Sequence, residues 1–473
     1  MACVDPSNMT CNANMKKILP LEDMDNLEGV DRISELPEDI MLTILFRLEM
    51  KEAAKTSILS KRWRCIWTNW TDFDFDCLEI FPECKYNDVP KRIEAVKYIN
   101  WVNQVIRLHR GQSINKFRVQ FGFYERPVHH IDRWVKLALA KKVKNLELEK
   151  LDLPLYDCPC DTYTLKPSLF ESGISFLTCL RLIGVDVSGE LLEFFLTECH
   201  HLEQLVVDGS DTLVSLKVAS FKLKQLSIRY CDSLNKLEID AVNLSYLDYV
   251  GKPIIEFKSL PLSLAEAAFD GECCRATTPI CQQIACFAMQ LSKFSVSFMM
   301  YLLPGVICNI PAKSLPCFSN LKFLVLTYWL DSIVDLPSII RLLGACPVLC
   351  EFKLQGLEPL SLMNPREGNN RNSYIYDHSL EEDKIEYKAL PCLRVFQLVG
   401  FVGGDDDLNL ILTIFDMAVQ LHSFICHPLK PLVGVITEDA AHESRSRATK
   451  LQSFIPPKVN YVITNTYNVV DLM

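Results

Sequence analysis

The hydrophobic pattern of the chain is most regular in its middle, where the unit Leu-x-x-Leu-x-apolar recurs. From Leu202 to Leu244 the starts of the unit advance by 11, 10, 11 and 10 residues, so that two units make one repeat of 21 residues. The second and third apolar positions of a unit are two residues apart and therefore point to the same side of a short strand. The pattern predicts strands with one buried side and one outward side.

Repeats of this length indicate a solenoid, because one coil cannot bury its own apolar edge whereas stacked coils share a continuous core under a parallel sheet. A period of 21 residues lies in the range of leucine-rich repeats. The same pattern predicts further strands at the pairs Phe117/Val119, Leu146/Leu148, Phe294/Val296, Leu324/Leu326, Phe352/Leu354, Phe396/Leu398 and Phe424/Cys426. We therefore predict an α/β fold built as a leucine-rich-repeat solenoid, with one irregular α/β domain as the alternative. The wider spacing of the later strands predicts longer returns, helical at 279–291 and 337–343.

The alternation within the strands also predicts an outward strip. With Leu205, Val207, Leu226, Ile228 and Leu247 pointing inward, their neighbours lie together on adjacent strands about 4.8 Å apart. The members of this strip are Val206, Ser227, Arg229, Tyr246 and Asp248. We predict the strip as a binding face, with Arg229 and Tyr246 as its strongest contacts, because guanidinium and aromatic groups dominate interfaces. The alternative is a solvated strip, with the binding site on the loops or the C-terminal tail.

The stretch from residue 31 to 70 has helical spacing and differs from everything that follows it. A first helix is predicted to begin at Pro37, with Glu38 and Asp39 in the first turn complementing the helix dipole. A second helix follows a turn at 49–51, and Ser60 is placed to cap a third helix that carries three tryptophans. Forty residues bury little surface alone, so this module is predicted to need a partner or a neighbouring domain for stability.

Composition excludes several classes of protein. A net charge of −10 argues against general nucleic-acid or anionic-membrane binding. The N-terminus has no apolar stretch of signal-peptide length, so the 20 cysteines are predicted to be reduced. The longest apolar run, Phe294 to Pro311, is interrupted by polar residues and falls short of the about twenty residues that span a bilayer. We therefore expect the cytoplasm or the nucleus as the location, with no membrane partner.

No pattern for catalysis or metal binding emerges. The sequence lacks a G-x-S-x-G elbow, a phosphate-binding loop, an H-E-x-x-H motif and a dinucleotide fingerprint. Its cysteines form no CxxC pair, and the adjacent histidines at 129–130 and 200–201 would point to opposite faces of a strand. We predict no catalytic residues, no metal and no cofactor, although triad partners far apart in sequence escape such a search.

Within the helical module, Leu36-Pro37, the run Ile58-Leu59-Ser60-Lys61-Arg62-Trp63 and Trp67 resemble the F-box. The resemblance implies binding to a Skp-type linker protein and, through it, to a cullin-RING ubiquitin ligase. It also implies that certain positions contact the linker or support the module's core: Leu36, Pro37, Ile40, Leu59 and Trp63. The alternative is a generic three-helix cap on the domain that follows.

The end of the chain is similar to the FBD domain, which follows an F-box and leucine-rich repeats in a large, chiefly plant, family. The similarity lies in a strand at 391–401, a helix that opens at Asp405, and a further strand. The helix is predicted to face inward with Leu408, Ile411, Leu412, Phe415 and Val419. The predicted domains are a mobile tail at 1–29, the F-box at 30–75, the solenoid at 76–384 with a loop or insertion at 361–384, and an FBD-like cap at 385–473.

Together these resemblances imply a substrate receptor, in which the F-box holds the linker and the solenoid holds an unknown protein target. One alternative is a small-molecule-dependent co-receptor of the hormone-receptor type. The outward strip positions contain only one cation, which favours a protein target over an anionic ligand. Another alternative is an F-box scaffold outside any ligase.

Overall fold

The computed structural model of the chain describes residues 33, 35–48, 50–77, 91–121, 128–150, 162–170, 173–274, 286–298, 316–329, 336–357, 388–428 and 438–464. The chain folds into two compact units. The first comprises residues up to Trp70 together with Leu108–Arg110, and the second comprises Thr71–Arg107 and the chain from Gly111 onward. The predicted tail 1–29 and the predicted loop 361–384 lie outside the described residues.

The first unit consists of three short helices, as predicted. They are α1 (Glu38–Leu45), α2 (Met50–Lys55), which continues into a 3-10 turn at Thr56–Ile58, and α3 (Lys61–Trp67). Pro37 occupies the N-cap of α1, and the Ser60 hydroxyl accepts a hydrogen bond of 3.3 Å from the Trp63 amide. Serine is a preferred N-cap residue, and proline is tolerated at the start of a helix because its missing N–H is not needed there, so both boundaries agree with the sequence prediction.

A small apolar core holds the three helices together. Helices α1 and α3 contact each other, and their buried side chains are Met41 and Leu45 of α1 and Trp63, Ile66 and Trp67 of α3. The short segment 108–110 joins this unit through a hydrogen bond of 2.7 Å from the Arg110 amide to the Thr68 carbonyl.

The second unit is built around a long parallel sheet. Its described strands are β1 (Asp72–Phe75), β2 (Lys116–Phe121), β3 (Asn145–Lys150), β4 (Tyr163–Thr164), β5 (Cys179–Ile183), β6 (Val185–Asp186), β7 (Gln204–Asp208), β8 (Ser215–Ala219), β9 (Gln225–Arg229), β10 (Lys236–Asp240), β11 (Tyr246–Val250), β12 (Ile255–Phe257), β13 (Glu266–Asp270), β14 (Lys293–Phe298), β15 (Phe323–Trp329), β16 (Glu351–Leu357), β17 (Val395–Phe401), β18 (Ser423–Pro428) and β19 (Asn460–Ile463). The long sheet has the order β1-β2-β3-β5-β7-β9-β11-β13-β14-β15-β16-β17-β18-β19. Strands β12-β10-β8 form a second parallel sheet, and β4 pairs with β6.

Helices connect some of these strands. They are α4 (Lys91–Leu108), α5 (Val128–Ala140), α6 (Gly189–Glu198), α7 (Leu336–Gly344), α8 (Asp405–Met417) and α9 (Glu438–Leu451). Helix α7 confirms the predicted helical return at 337–343. The other predicted return, 279–291, lies partly outside the described residues, and its described part at 286–290 is a turn. No helix in the described ranges is long and apolar enough to cross a membrane.

Each 21-residue repeat supplies one strand to each sheet. The chain runs from β7 in the long sheet to β8 in the second sheet, returns to β9, and repeats this path through β10 to β13. The two Leu-x-x-Leu-x-apolar units of a repeat therefore lie on opposite sides of one coil. The fully buried leucines of both sheets face each other across a core that continues from coil to coil.

The inward register predicted for the central strands is confirmed. Leu205, Val207, Leu226 and Leu247 have no exposed surface, and Ile228 is 1% exposed. Leu205, Leu226 and Leu247 pair across β7, β9 and β11, so that they form one buried row perpendicular to the strands.

The C-terminal strands continue the long sheet instead of forming a separate layer. Glu351 of β16 pairs with Val395 of β17, and β18 and β19 follow in parallel register. Stacked aromatic rings run along this part of the core, with centroid distances of 5.6, 5.1 and 5.3 Å along the row Phe352, Phe396, Phe424 and Tyr461. The sheet thus passes through the boundary predicted near 385.

Helix α8 begins at Asp405 as predicted, and the Asp407 carboxylate accepts hydrogen bonds of 3.0 and 2.7 Å from the amides of Val402 and Gly403. Its predicted inward face was wrong in part. Leu410 and Ile414 are buried beside Ile411, whereas Leu412 is 45% exposed and Val419, which lies beyond the end of the helix, is 63% exposed. The helix is apolar on two adjacent stripes, and the tertiary packing selects between them.

Candidate functional site

The first unit presents large apolar side chains to solvent. In α1, Ile40 is 44% exposed and Ile44 is 36% exposed, and they lie one helical turn apart on the same side. Ile58 and Leu59, which precede the cap of α3, are 77% and 57% exposed. A three-helix unit that leaves these side chains uncovered has an apolar surface suited to a protein partner.

The five residues implied by the F-box resemblance divide between this surface and the core. Pro37, Ile40 and Leu59 are exposed, and Leu36 is partly exposed. Trp63 is only 1% exposed, so it supports the surface from within and presents no area to a partner. Its indole N–H has no hydrogen-bond partner among the described residues.

The predicted strip lies on the outer face of the long sheet, which we define as the residues that point away from the core. Val206, Ser227 and Asp248 pair in one row across β7, β9 and β11. Tyr246 lies in the preceding row and Arg229 in the following row. The structure therefore brings the five predicted residues together on adjacent strands.

Two members of the strip offer little surface, which corrects the sequence prediction. Val206 is 8% exposed and Ser227 is 6% exposed, because they form the floor between longer neighbouring side chains. The Ser227 hydroxyl donates a hydrogen bond of 2.9 Å to the Asp248 carboxylate. Asp248, Arg229 and Tyr246 remain as the accessible members.

Arg229 lies among carboxylates. Its guanidinium is 4.0 Å from Asp208 and 3.8 Å from Asp248, and it stands over the ring of Tyr230 at 5.4 Å. Burial opposes the charge of Arg229, whereas Asp248 and Asp208 raise its pKa. Burial raises the pKa of Asp248, and Arg229 and the Ser227 hydroxyl oppose that shift. The site is a partly buried ionic cluster with one aromatic ring at its edge.

An ionic network on β1, β2 and β3 was not predicted. Arg118 of β2 lies 2.9 Å from Asp74, 3.4 Å from Asp76 and 2.8 Å from Glu149. Although burial opposes its charge, the hydrogen bond from Arg118 to Glu149 and the neighbouring Asp74 raise its pKa. One guanidinium thus joins three strands.

We expect Arg118→Met to destabilise the second unit by about 2 kcal/mol, because the carboxylates that Arg118 joins would lose charged hydrogen bonds and repel each other. Chemical denaturation measures this loss. Raising the salt from about 0.1 M to about 1 M shortens the screening length to about 3 Å and should reduce the loss of stability caused by Arg118→Met. Arg181→Met is the control, since Arg181 is nearer to solvent and its contact with Glu147 is 3.8 Å. Equal effects of the two variants would contradict the network's role.

A depression of about 380 Å³ opens on the same outer face, beside the predicted strip. Its lining residues are Asn145, Glu147, Thr178, Cys179, Arg181, Glu203, Gln204, Lys224 and Gln225. Lys224 and Glu203 form an ion pair of 2.8 Å at this site. The depression is polar and carries equal numbers of cations and carboxylates, which suits the backbone and side chains of a protein segment.

The described cysteines are all free, and two buried ones do not resemble nucleophiles. Burial raises the pKa of the thiols of Cys179 and Cys231 to about 11. These thiols are therefore protonated at neutral pH, whereas the thiolate is the reactive form. Within the part of the chain that the structure describes, no group of three or more His, Cys, Asp and Glu residues is arranged to hold a metal ion.

Two family models match the chain. The F-box domain matches residues 33–73, which contain the three helices and the exposed apolar side chains described above. The model described as "At1g61320/AtMIF1, LRR domain" matches residues 160–427, which is 268 of the chain's 473 residues.

Similar proteins occur in Arabidopsis thaliana. F-box/FBD/LRR-repeat protein At1g13780 is 28% identical over 254 residues, which cover 47% of this chain and 54% of that protein. F-box/FBD/LRR-repeat protein At1g13570 is 30% identical over 246 residues, covering 49% and 57%. F-box/LRR-repeat protein At3g59200 is 28% identical over 259 residues, covering 49% and 48%.

The chain spans about half the length of the curated relatives that it matches. The FBD occurs in the names of two of these relatives, and the repeat match ends at residue 427, before β19. More than half of the chain matches the repeat model, and the N-terminal helices match the F-box. The chain therefore belongs to the F-box/LRR-repeat proteins, with the leucine-rich-repeat domain of the At1g61320/AtMIF1 family.

Proposed function

We propose that this protein is the substrate-receptor subunit of a cullin-RING ubiquitin ligase. The F-box unit binds a Skp-type linker, and the repeats bind a protein target. The observation that carries the proposal is the exposed apolar surface at Ile40, Ile44, Ile58 and Leu59 on a unit that already has a buried core. An apolar surface of this kind is stabilised when a partner covers it.

In this proposal the chain contributes binding and no chemistry. Other subunits transfer ubiquitin, and the receptor raises the rate by holding the target near them, since tethering converts an encounter between separate molecules into an effectively unimolecular step. The protonated, buried thiols of Cys179 and Cys231 are consistent with a role outside catalysis.

The target site in this proposal is the outer face of the long sheet. Parallel strands there present the depression and, next to it, the cluster around Arg229. An anionic small molecule would need cations that are not already neutralised, but Arg229 stands between Asp208 and Asp248. Charge and polarity at these positions favour a protein segment as the ligand.

The proposal is tested by co-expressing the full chain with a Skp-type linker and a cullin-RING core. The chain and the linker are expected to elute together in equal amounts from a size-exclusion column, and the cullin is expected to join them only when the linker is present. A chain that is folded by circular dichroism yet elutes without the linker would overturn the proposal. The same result would favour the non-ligase scaffold.

A further inference from the structure

The residue that follows each strand from β5 to β13 of the long sheet occupies one equivalent position. Strand ends Ile183, Asp208, Arg229, Val250 and Asp270 pair across the sheet. In each coil before β13, the amide of the residue that follows the strand donates a hydrogen bond to the carbonyl of the last strand residue in the next coil. These hydrogen bonds are 2.7 to 3.1 Å long. These equivalent residues are Gly184, Gly209, Tyr230, Gly251 and Gly271.

Tyrosine is the exception in this series. Gly184, Gly209 and Gly271 have φ angles of 60°, 68° and 85°, in the left-handed region that glycine adopts without cost. Tyr230 has a φ of 47° in the same region, where the Cβ of an L-residue meets steric repulsion. The spacing makes the substitution plain, because position 230 lies 21 residues, one repeat, from both Gly209 and Gly251.

The fold gains little from this tyrosine. Tyr230 is 45% exposed, so it contributes little to the core. Its ring contacts the guanidinium of the preceding residue, Arg229, at 5.4 Å. Glycine would adopt this backbone conformation at a lower energy, and the limited burial of the tyrosine side chain does not offset its higher cost. Residues kept in a disfavoured backbone conformation without such a gain are typical of functional sites.

The surroundings of Tyr230 are acidic. Asp208 and Asp248 flank Arg229 at 4.0 and 3.8 Å. Burial, together with the carboxylates of Asp270 and Asp208, raises the pKa of the Tyr230 phenol, and Arg229 lowers it, so these groups share one site. Three carboxylates face one guanidinium, and burial raises the pKa of Asp248 and of Asp270. A second cation would reduce this excess of negative charge.

We infer that Tyr230 is a target-contacting residue, and that it binds a lysine or arginine side chain of the target protein. This inference rests on the proposed function, because it names the chemistry that the receptor's outer face recognises. One side of the ring carries the Arg229 guanidinium, and the exposed side accepts the target's cation through its electron-rich face. Asp270, Asp208 and Asp248 neutralise the added charge.

The test uses two variants of the full chain, Tyr230→Gly and Tyr230→Phe, and a display library of random peptides about ten residues long, enough to cross several strands about 4.8 Å apart. The wild-type chain is expected to select peptides enriched in lysine and arginine. Tyr230→Gly should lower the affinity for the best of these peptides by about tenfold, as loss of an interface anchor does. Tyr230→Phe keeps the ring, so its affinity should stay within about twofold of wild type. Phe221→Gly is the control, since Phe221 is an aromatic residue that is 76% exposed outside the strands of the long sheet.

Thermal melting separates a binding role from a structural one. Tyr230→Gly is expected to melt no lower than wild type, because glycine suits the left-handed position. A lower melting temperature, selection of acidic or uncharged peptides, no selection above background, or unchanged binding by Tyr230→Gly would each overturn the inference. Linker capture is measured on the same preparations. A chain that selects basic peptides but fails to capture the linker would overturn the ligase proposal and leave the role of Tyr230 standing.

Discussion

Leu226→Asp is expected to unfold the central coils of the second unit. Leu226 has no exposed surface and lies between Leu205 and Leu247 in register on the neighbouring strands. An aspartate there would place a carboxylate without a partner inside an apolar row. We expect the free energy of unfolding to fall by about 4 kcal/mol, the loss typical of an uncompensated buried charge.

The neighbouring position provides a matched control. Gln225 precedes Leu226 on β9 and points outward, where it is exposed. Gln225→Asp introduces the same group one residue away, and its stability should stay within about 0.5 kcal/mol of wild type. Denaturant unfolding followed by circular dichroism measures both variants. Similar midpoints for the two would mean that the alternation between the core and the outer face is misassigned.

The strands of the central coils could be predicted from the sequence, because the apolar pair in each unit specifies which side is buried. The sheet to which each unit belongs could not be predicted from the sequence. The unit at Leu213 and the unit at Leu223 have the same pattern, yet the first forms β8 in the second sheet and the second forms β9 in the long sheet. Which sheet a unit joins depends on how the chain winds through each coil. The local apolar pattern does not specify that winding.

Helix α8 shows a similar limit. Leu408, Ile411, Leu412 and Phe415 have helical spacing, and so do Leu410, Ile411, Ile414 and Met417, which form the buried face. When apolar residues occupy two adjacent stripes, periodicity predicts the helix but leaves its rotation open. Packing of the helix against the sheet then determines which stripe is buried.

The ionic network and the role of Tyr230 were missed for different reasons. Arg118 bonds to Asp74 and Glu149, which are 44 and 31 residues away, so the network requires the register of three strands. The unusual residue at position 230 could have been recognised from the sequence. Glycines at 209 and 251 stand one repeat to either side of it, and the break in that series is a signal that the apolar pattern alone does not reveal.

Ile40→Asp and Leu59→Asp together are expected to abolish linker capture while the F-box unit stays folded. Both side chains are exposed, at 44% and 57%, so a carboxylate at either position remains solvated in the free chain. Ile40 also lies in the first turn of α1, where negative charge is favourable, whereas Leu59 lies between the end of the 3-10 turn at Thr56–Ile58 and the cap of α3. In a complex with the linker, the same carboxylates would be buried against apolar surface.

Each substitution alone should lower the affinity for the linker by about tenfold, and the two together should lower it by about a hundredfold if the positions act independently. Isothermal titration with the purified linker measures these losses, and the helical circular dichroism signal checks the fold. Asn69→Asp is the control, since Asn69 is an exposed residue of the same unit just beyond the end of α3. A double variant that binds the linker as tightly as Asn69→Asp would show that the exposed apolar residues of α1 and the α3 cap serve a different partner, and the F-box match would then describe a fold without its usual contact.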